Sequence, residues 1–90
     1  AANKFYIYGE VNRPGMYPLE EGTTVLTAIS IAGGFTKFGS AKRVKILRMD
    51  EGLGWYESID VNINEVISGY APSDAILQPG DIVVASEGMF

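Results

Sequence analysis

The chain has 90 residues, 47% of them hydrophobic, with no cysteine, no histidine and a formal net charge of −4. That length makes one domain, burying only about 60–65% of its unfolded surface, and the apolar content excludes a disordered chain. The negative charge argues against nucleic acid as a partner, the absent cysteines exclude disulfide and thiolate chemistry, and apolar runs of a few residues exclude a spanning helix, which needs roughly 20.

The first residues, Ala1-Ala2-Asn3, lead almost directly into a strand, so the chain reads as a fragment of a longer protein with no signal peptide. Phe5-Tyr6-Ile7-Tyr8-Gly9-Glu10-Val11 is aromatic and β-branched, which predicts that strand. Its period of two puts Phe5, Ile7 and Val11 on one face and Tyr6, Tyr8 and Glu10 on the other. Asn12-Arg13-Pro14-Gly15 predicts a turn, and residues 16–19 a short second strand ending near Pro18. Pro-Gly is a type II turn signal, because proline presets φ and glycine accepts positive φ.

Thr23 or Thr24 caps a predicted helix over residues 25–32. Val25, Ala28, Ile29 and Ala32 form its apolar stripe, with Leu26 on the flank. Gly33-Gly34 stops it, since glycine enters the left-handed region cheaply. Residues 35–40 read as a loop and 43–49 as a strand, with Val44 and Ile46 on one face and Arg43, Lys45 and Leu47 on the other. Residues 50–54 have hairpin-loop length, and 55–59 return as the partner strand. Asp60 then caps a short helix carrying Ile63, Val66 and Ile67, closed by Gly69. Residues 70–76 are irregular. Leu77-Gln78-Pro79-Gly80-Asp81 turns into a last strand over residues 82–85.

This order predicts an α+β fold: one β-grasp-like domain over residues 1–90, its mixed sheet packed on one main helix, with a second short helix. The expected core is Ile7, Val11, Leu19, Val25, Ile29, Ala32, Val44, Ile46, Ile59, Leu77, Ile82 and Val84.

Catalytic means are few. Without histidine or cysteine the chain lacks the commonest neutral-pH base, the common zinc ligands and a thiolate nucleophile. The pairs Glu20-Glu21 and Asp50-Glu51 fall in turns, where carboxylates are solvated rather than poised across a cleft. No loop has calcium spacing or a phosphate-loop pattern. The expectation is therefore no enzyme, no metal and no cofactor. Asp81 reads as a turn acid accepting backbone N–H bonds. Gly9, Pro14, Gly15, Gly33, Gly34, Pro79 and Gly80 read as structural positions too.

Surface chemistry is richer. Tyr6 and Tyr8 lie opposite the expected core, and of Trp55 and Tyr56 one must point outward. Such faces cover a sheet, meet a protein partner or stack on sugar rings. Lys42, Arg43, Lys45 and Arg48 concentrate positive charge, split by alternation between two faces. They suit a solvated edge, an acidic polymer or an acidic neighbour.

The string GEVNRPGMYPLEEGTTVLTAISIAGGF, followed by VKILR, a short helix and LQPGDIVVAS, resembles the SLBB domain, a soluble-ligand-binding β-grasp. It is most similar to the SLBB repeats of the bacterial outer-membrane polysaccharide export family, over about residues 4–86. The resemblance implies a periplasmic module of a lipoprotein in which an export domain precedes the SLBB domains. It implies packing side by side with other subunits in a ring around the passage for capsule or exopolysaccharide, and an inner-membrane export partner. Tyr6, Tyr8 and Tyr56 are then the candidates for stacking on glycan, and Arg43 and Lys45 for attracting acidic polymers. The alternative is a general soluble-ligand binder, similar to parts of cobalamin-binding, respiratory-complex or DNA-uptake proteins. A deep apolar pocket favours that alternative; flat faces favour ring assembly.

Overall fold

The computed structural model describes residues 3–69 and 75–88. Most of the segment expected to be irregular, residues 70–74, lies outside them. The elements run β1 (Lys4–Gly9), β2 (Gly15–Pro18), α1 (Val25–Ile31), β3 (Gly39–Asp50), β4 (Trp55–Val61), α2 (Ile63–Ser68) and β5 (Ile82–Glu87). The five strands form one mixed sheet in the order β2-β1-β5-β3-β4. Among the described strands, β1 and β5 run parallel and the other neighbouring pairs antiparallel. This is the expected α+β, β-grasp-like arrangement, with α1 as the crossover helix.

Helix α1 forms where the sequence places it. Thr24 is its N-cap, and the Thr24 side chain accepts the Thr27 N–H. Thr23, the other candidate, is instead buried and donates its hydroxyl to Glu20 O at 2.7 Å. Val25, Ala28 and Ile29 face the sheet. Their partners include Phe5, Ile7, Val44, Ile46, Val83 and Ala85, all within one buried cluster. Ile29→Ala should cost roughly 2–4 kcal/mol, transfer and cavity terms together. Urea unfolding reads it; a loss below about 0.5 kcal/mol would detach the helix from the core.

Several expectations change. Ile82 and Val84 are not core residues; Val83 and Ala85 point inward and those two outward. A strand of four apolar residues carries no alternation, so its register is set by the ladder: Val83 pairs with Ile7 and Ile46, both buried. Leu19 and Ile59 are half-buried against the core rather than within it. Strand β4 runs on to Val61, so the cap of α2 is Asn62, not Asp60: Asn62 Oδ1 accepts the Glu65 N–H. Ile67 is exposed, and Ile63 alone anchors α2 in the core. Gly69 closes that helix with φ 80° as expected. Strand β3 begins at Gly39, inside the expected loop, and strand β2 covers Gly15–Pro18 rather than residues 16–19.

The two Pro-Gly steps also differ. Gly80 has φ 86° and Asp81 N–H donates to Gln78 O at 3.0 Å, as a type II turn requires. Gly15 has φ 147°, far from the roughly +80° of such a turn, and already pairs with Ile7 at the start of β2. Pro14 therefore ends an open connection rather than forming a tight turn.

Candidate functional site

The motif residues lock the two ends of β1. At the far end, the connection after β1 closes on the C-terminus of α1. Arg13 N–H donates to Ala32 O at 2.8 Å and Asn12 N–H to Gly34 O at 3.0 Å. Asn12 Nδ2 donates to Gly33 O at 2.7 Å, and the Arg13 guanidinium to Ile31 O at 3.2 Å. These donors satisfy carbonyls that a helix end leaves unpaired, and the arginine charge suits its negative pole. Gly33 and Gly34, at φ 86° and 81°, turn the chain so that it passes beneath this loop. The Tyr17 hydroxyl donates to Arg13 O, and the Tyr17 ring stacks on Phe5 with centroids 5.7 Å apart.

At the near end, the Pro79-Gly80 turn is pinned to β1: Gly80 N–H donates to Lys4 O at 2.8 Å and Tyr6 N–H to Asp81 O at 2.9 Å. Asp81 is 1% exposed and does more than hold the turn. Its Oδ2 accepts the Gln78 N–H at 2.8 Å, as anticipated for a turn acid. Its carboxylate also takes both arms of Arg48, Nε at 3.1 Å and Nη2 at 2.8 Å. Arg48 Nη2 further reaches Ile76 O at 3.2 Å. The hydrogen bond to Asp81 raises the Arg48 guanidinium above its ordinary value, with burial opposing. Arg48 thus leaves the basic cluster. The sequence carried a signal for this: Arg48 has the same strand parity as Val44 and Ile46, so it lies on the buried face and needs a partner.

The outer face of the sheet is where the surface candidates meet. By register, Met16, Tyr6, Ile82, Leu47 and Ser58 form one row across all five strands. Tyr8, Val84, Lys45 and Asp60 form the next row. Tyr56 pairs with Met49 at the hairpin end. Tyr8, Met16, Met49 and Tyr56 are each about half exposed. Tyr6 and Tyr8 are neighbours on β1, but Tyr56 lies three strands away, about 14 Å at the usual strand spacing. The tyrosines therefore form two separate stations on one face, the Tyr6–Tyr8 pair and Tyr56, and the outward-turned Ile82 and Val84 lie between them. Trp55 has inward parity yet is 62% exposed, because this end of the hairpin extends past the core. Neither it nor Tyr56 is covered.

Arg43 and Lys45 line an open hollow of about 340 Å³ together with Lys42, Val44, Asp60 and Ser86. Three further shallow hollows lie by Asn62 and Val66, by Met16 and Pro18, and by Glu20 and Pro79. Among the described residues no helix is long and apolar enough to cross a membrane.

No curated protein matches the chain. The family model described as the SLBB domain matches residues 4–55, more than half of the chain. That span holds β1, β2, α1 and β3, and with them the whole interlock between Asn12-Arg13 and the end of the helix. The chain belongs to the SLBB family of soluble-ligand-binding β-grasp domains.

Proposed function

We propose that this domain is a periplasmic wall module of an outer-membrane polysaccharide export protein. It packs side by side with copies of itself in a ring, beside an inner-membrane export partner, and touches passing glycan only weakly. The observation that carries this reading is the uncovered outer face of the sheet. Helix α1 shields one face, while Tyr8, Met16, Met49 and Tyr56 remain about half exposed on the other. An apolar, aromatic, flat surface of this kind suits a protein interface, with tyrosine rings available to sugars. Further support is the ordered set of motifs running from Gly9 to Asp81. The competing reading, a small-ligand binder, needs an apolar cavity beside Ile29; Ile29 is 3% exposed in the buried cluster and lines none of the four hollows described above. Catalysis has no part in the proposal, since a chain without histidine or cysteine lacks the usual means.

Sedimentation of the isolated domain should give a monomer or weak self-association, because neighbouring modules raise the effective concentration only in the full assembly. In the parent protein, Tyr8→Glu with Tyr56→Glu should prevent ring formation. The same pair in the isolated domain should change stability by only about 0.5 kcal/mol per site, as exposed substitutions do. A stable ring from the 90 residues alone, or unaltered assembly of a parent lacking them, would refute the reading.

A further inference from the structure

We propose that the irregularity in β3 builds a subsite for a sugar acid, a ring bearing both a carboxylate and hydroxyl groups. This deepens the export reading by naming the chemical class of glycan, and rests on that reading only for where the sugar comes from.

The ladder between β3 and β5 breaks at one place. Val44 pairs with Ala85 and Gly39 with Glu87, so residues 40–43 face Ser86 alone. Extra residues in one strand leave the ladder and re-aim their side chains. Here they bring Lys42 and Arg43 to the hollow that Lys45, Asp60 and Ser86 complete. At about 340 Å³ the hollow is at the small end of ligand sites and suits a single sugar ring.

Its charge is unusual for this chain. The protein is acidic, with 7 basic residues against 11 acidic ones. Arg13 is committed to the end of α1 and Arg48 to Asp81. Three of the remaining cations, Lys42, Arg43 and Lys45, line this one hollow. The ion pair found among the described residues is that of Arg48 with Asp81, so these three have no carboxylate within 4.0 Å there. They are open to an anionic group.

Asp60 decides which anion. It sits opposite Lys45 in the β3–β4 register and lines the same hollow. A carboxylate there repels a bare sulfate or phosphate, yet accepts hydrogen bonds from hydroxyls. The Ser86 hydroxyl both donates and accepts. Three cations beside one acceptor and one hydroxyl match a uronate, whose carboxylate meets the cations and whose hydroxyls meet Asp60 and Ser86.

The test is an NMR titration of the domain with D-glucuronate, D-glucose and sulfate at matched ionic strength. Glucuronate should give saturable shifts at the amides of Lys42, Arg43, Lys45, Asp60 and Ser86, while glucose and sulfate should not. Arg43→Gln with Lys45→Gln should weaken glucuronate by about tenfold, the sum of two exposed charge contacts. Asp60→Asn should narrow the preference over sulfate. Undiminished binding to the double variant, equal binding of sulfate, or no saturable shift with glucuronate would each overturn the subsite. If glucuronate fails while the parent still forms Tyr8- and Tyr56-dependent rings, the subsite falls and the export reading stands. If glucuronate binds but those rings do not form, the export reading falls and the subsite stands.

Discussion

Gly9→Ala should cost about 3–5 kcal/mol, a large share of the stability of a domain this size, which by the usual per-residue scale holds roughly 5–13 kcal/mol. Two effects add. Gly9 has φ 93°, in the left-handed half of backbone space where a side chain is strained. A Cβ built there would also lie 2.1 Å from Ala85 O and 3.0 Å from Ala85 C. That oxygen cannot move aside, because it accepts the Glu10 N–H at 2.8 Å and belongs to the parallel β1–β5 ladder. Relief would mean parting the central strands of the sheet. Gly22→Ala separates the two effects: Gly22 has φ 84° with nothing within 4 Å of the added carbon. It should cost only the conformational part, about 1–2 kcal/mol. Chemical unfolding of both variants measures the difference. Equal losses would mean that the close approach at Gly9 contributes nothing.

That glycine shows what a sequence does and does not disclose. Gly9 was readable as structural, but its reason, the carbonyl of a strand 76 residues later in the chain, depends on a parallel pairing that no local pattern announces. Helix α1 was legible almost to the residue, because cap, stripe and glycine stop all act within a few residues of one another. The face of β5 was not. Ile82, Val83, Val84 and Ala85 are all apolar, so either register would bury good side chains, and the neighbouring strands chose. The surface candidates divide in the same way. Alternation correctly placed Tyr6 and Tyr8 outward, since β1 alternates cleanly. It could not say that Tyr56 lies three strands from them, nor that Lys42 joins Arg43 and Lys45 through the slipped β3–β5 ladder. The Asn12-Arg13 loop and the Gly33-Gly34 stop were each visible. That they are two halves of one interlock appears only when the chain is folded.

Arg48→Ala should destabilise the domain by about 3 kcal/mol, because it leaves the Asp81 carboxylate buried without its counter-charge. The pair is asymmetric: the Asp81 side chain is 1% exposed and that of Arg48 26%. Removing arginine strands the more deeply buried charge, with only the Gln78 N–H left to it. Asp81→Ala should cost less, about 2 kcal/mol, since the guanidinium can turn toward water, although the Gln78 N–H then loses its acceptor. The double variant should fall short of the summed losses by about 1.5 kcal/mol or more, the signature of direct coupling. Arg48→Lys should not restore the wild-type value, because lysine cannot offer two parallel arms to one carboxylate. The arginine side of the pair should be insensitive to alkali in any working range. Its hydrogen bond to Asp81 holds the guanidinium above its ordinary value. A base raised in the folded state contributes fully below its unfolded value and loses that contribution only as pH climbs through the folded one, which for this arginine lies above its already high ordinary value. This link ties β3 to the turn that positions β5, so its loss should loosen both β5 and the start of β1, where Tyr6 N–H depends on Asp81 O. Amide exchange in Arg48→Ala should therefore quicken at Tyr6 and Gly80 before it does at Ile29. Additive single losses, or unchanged exchange at Tyr6 and Gly80, would show that the turn is held by its own backbone bonds alone.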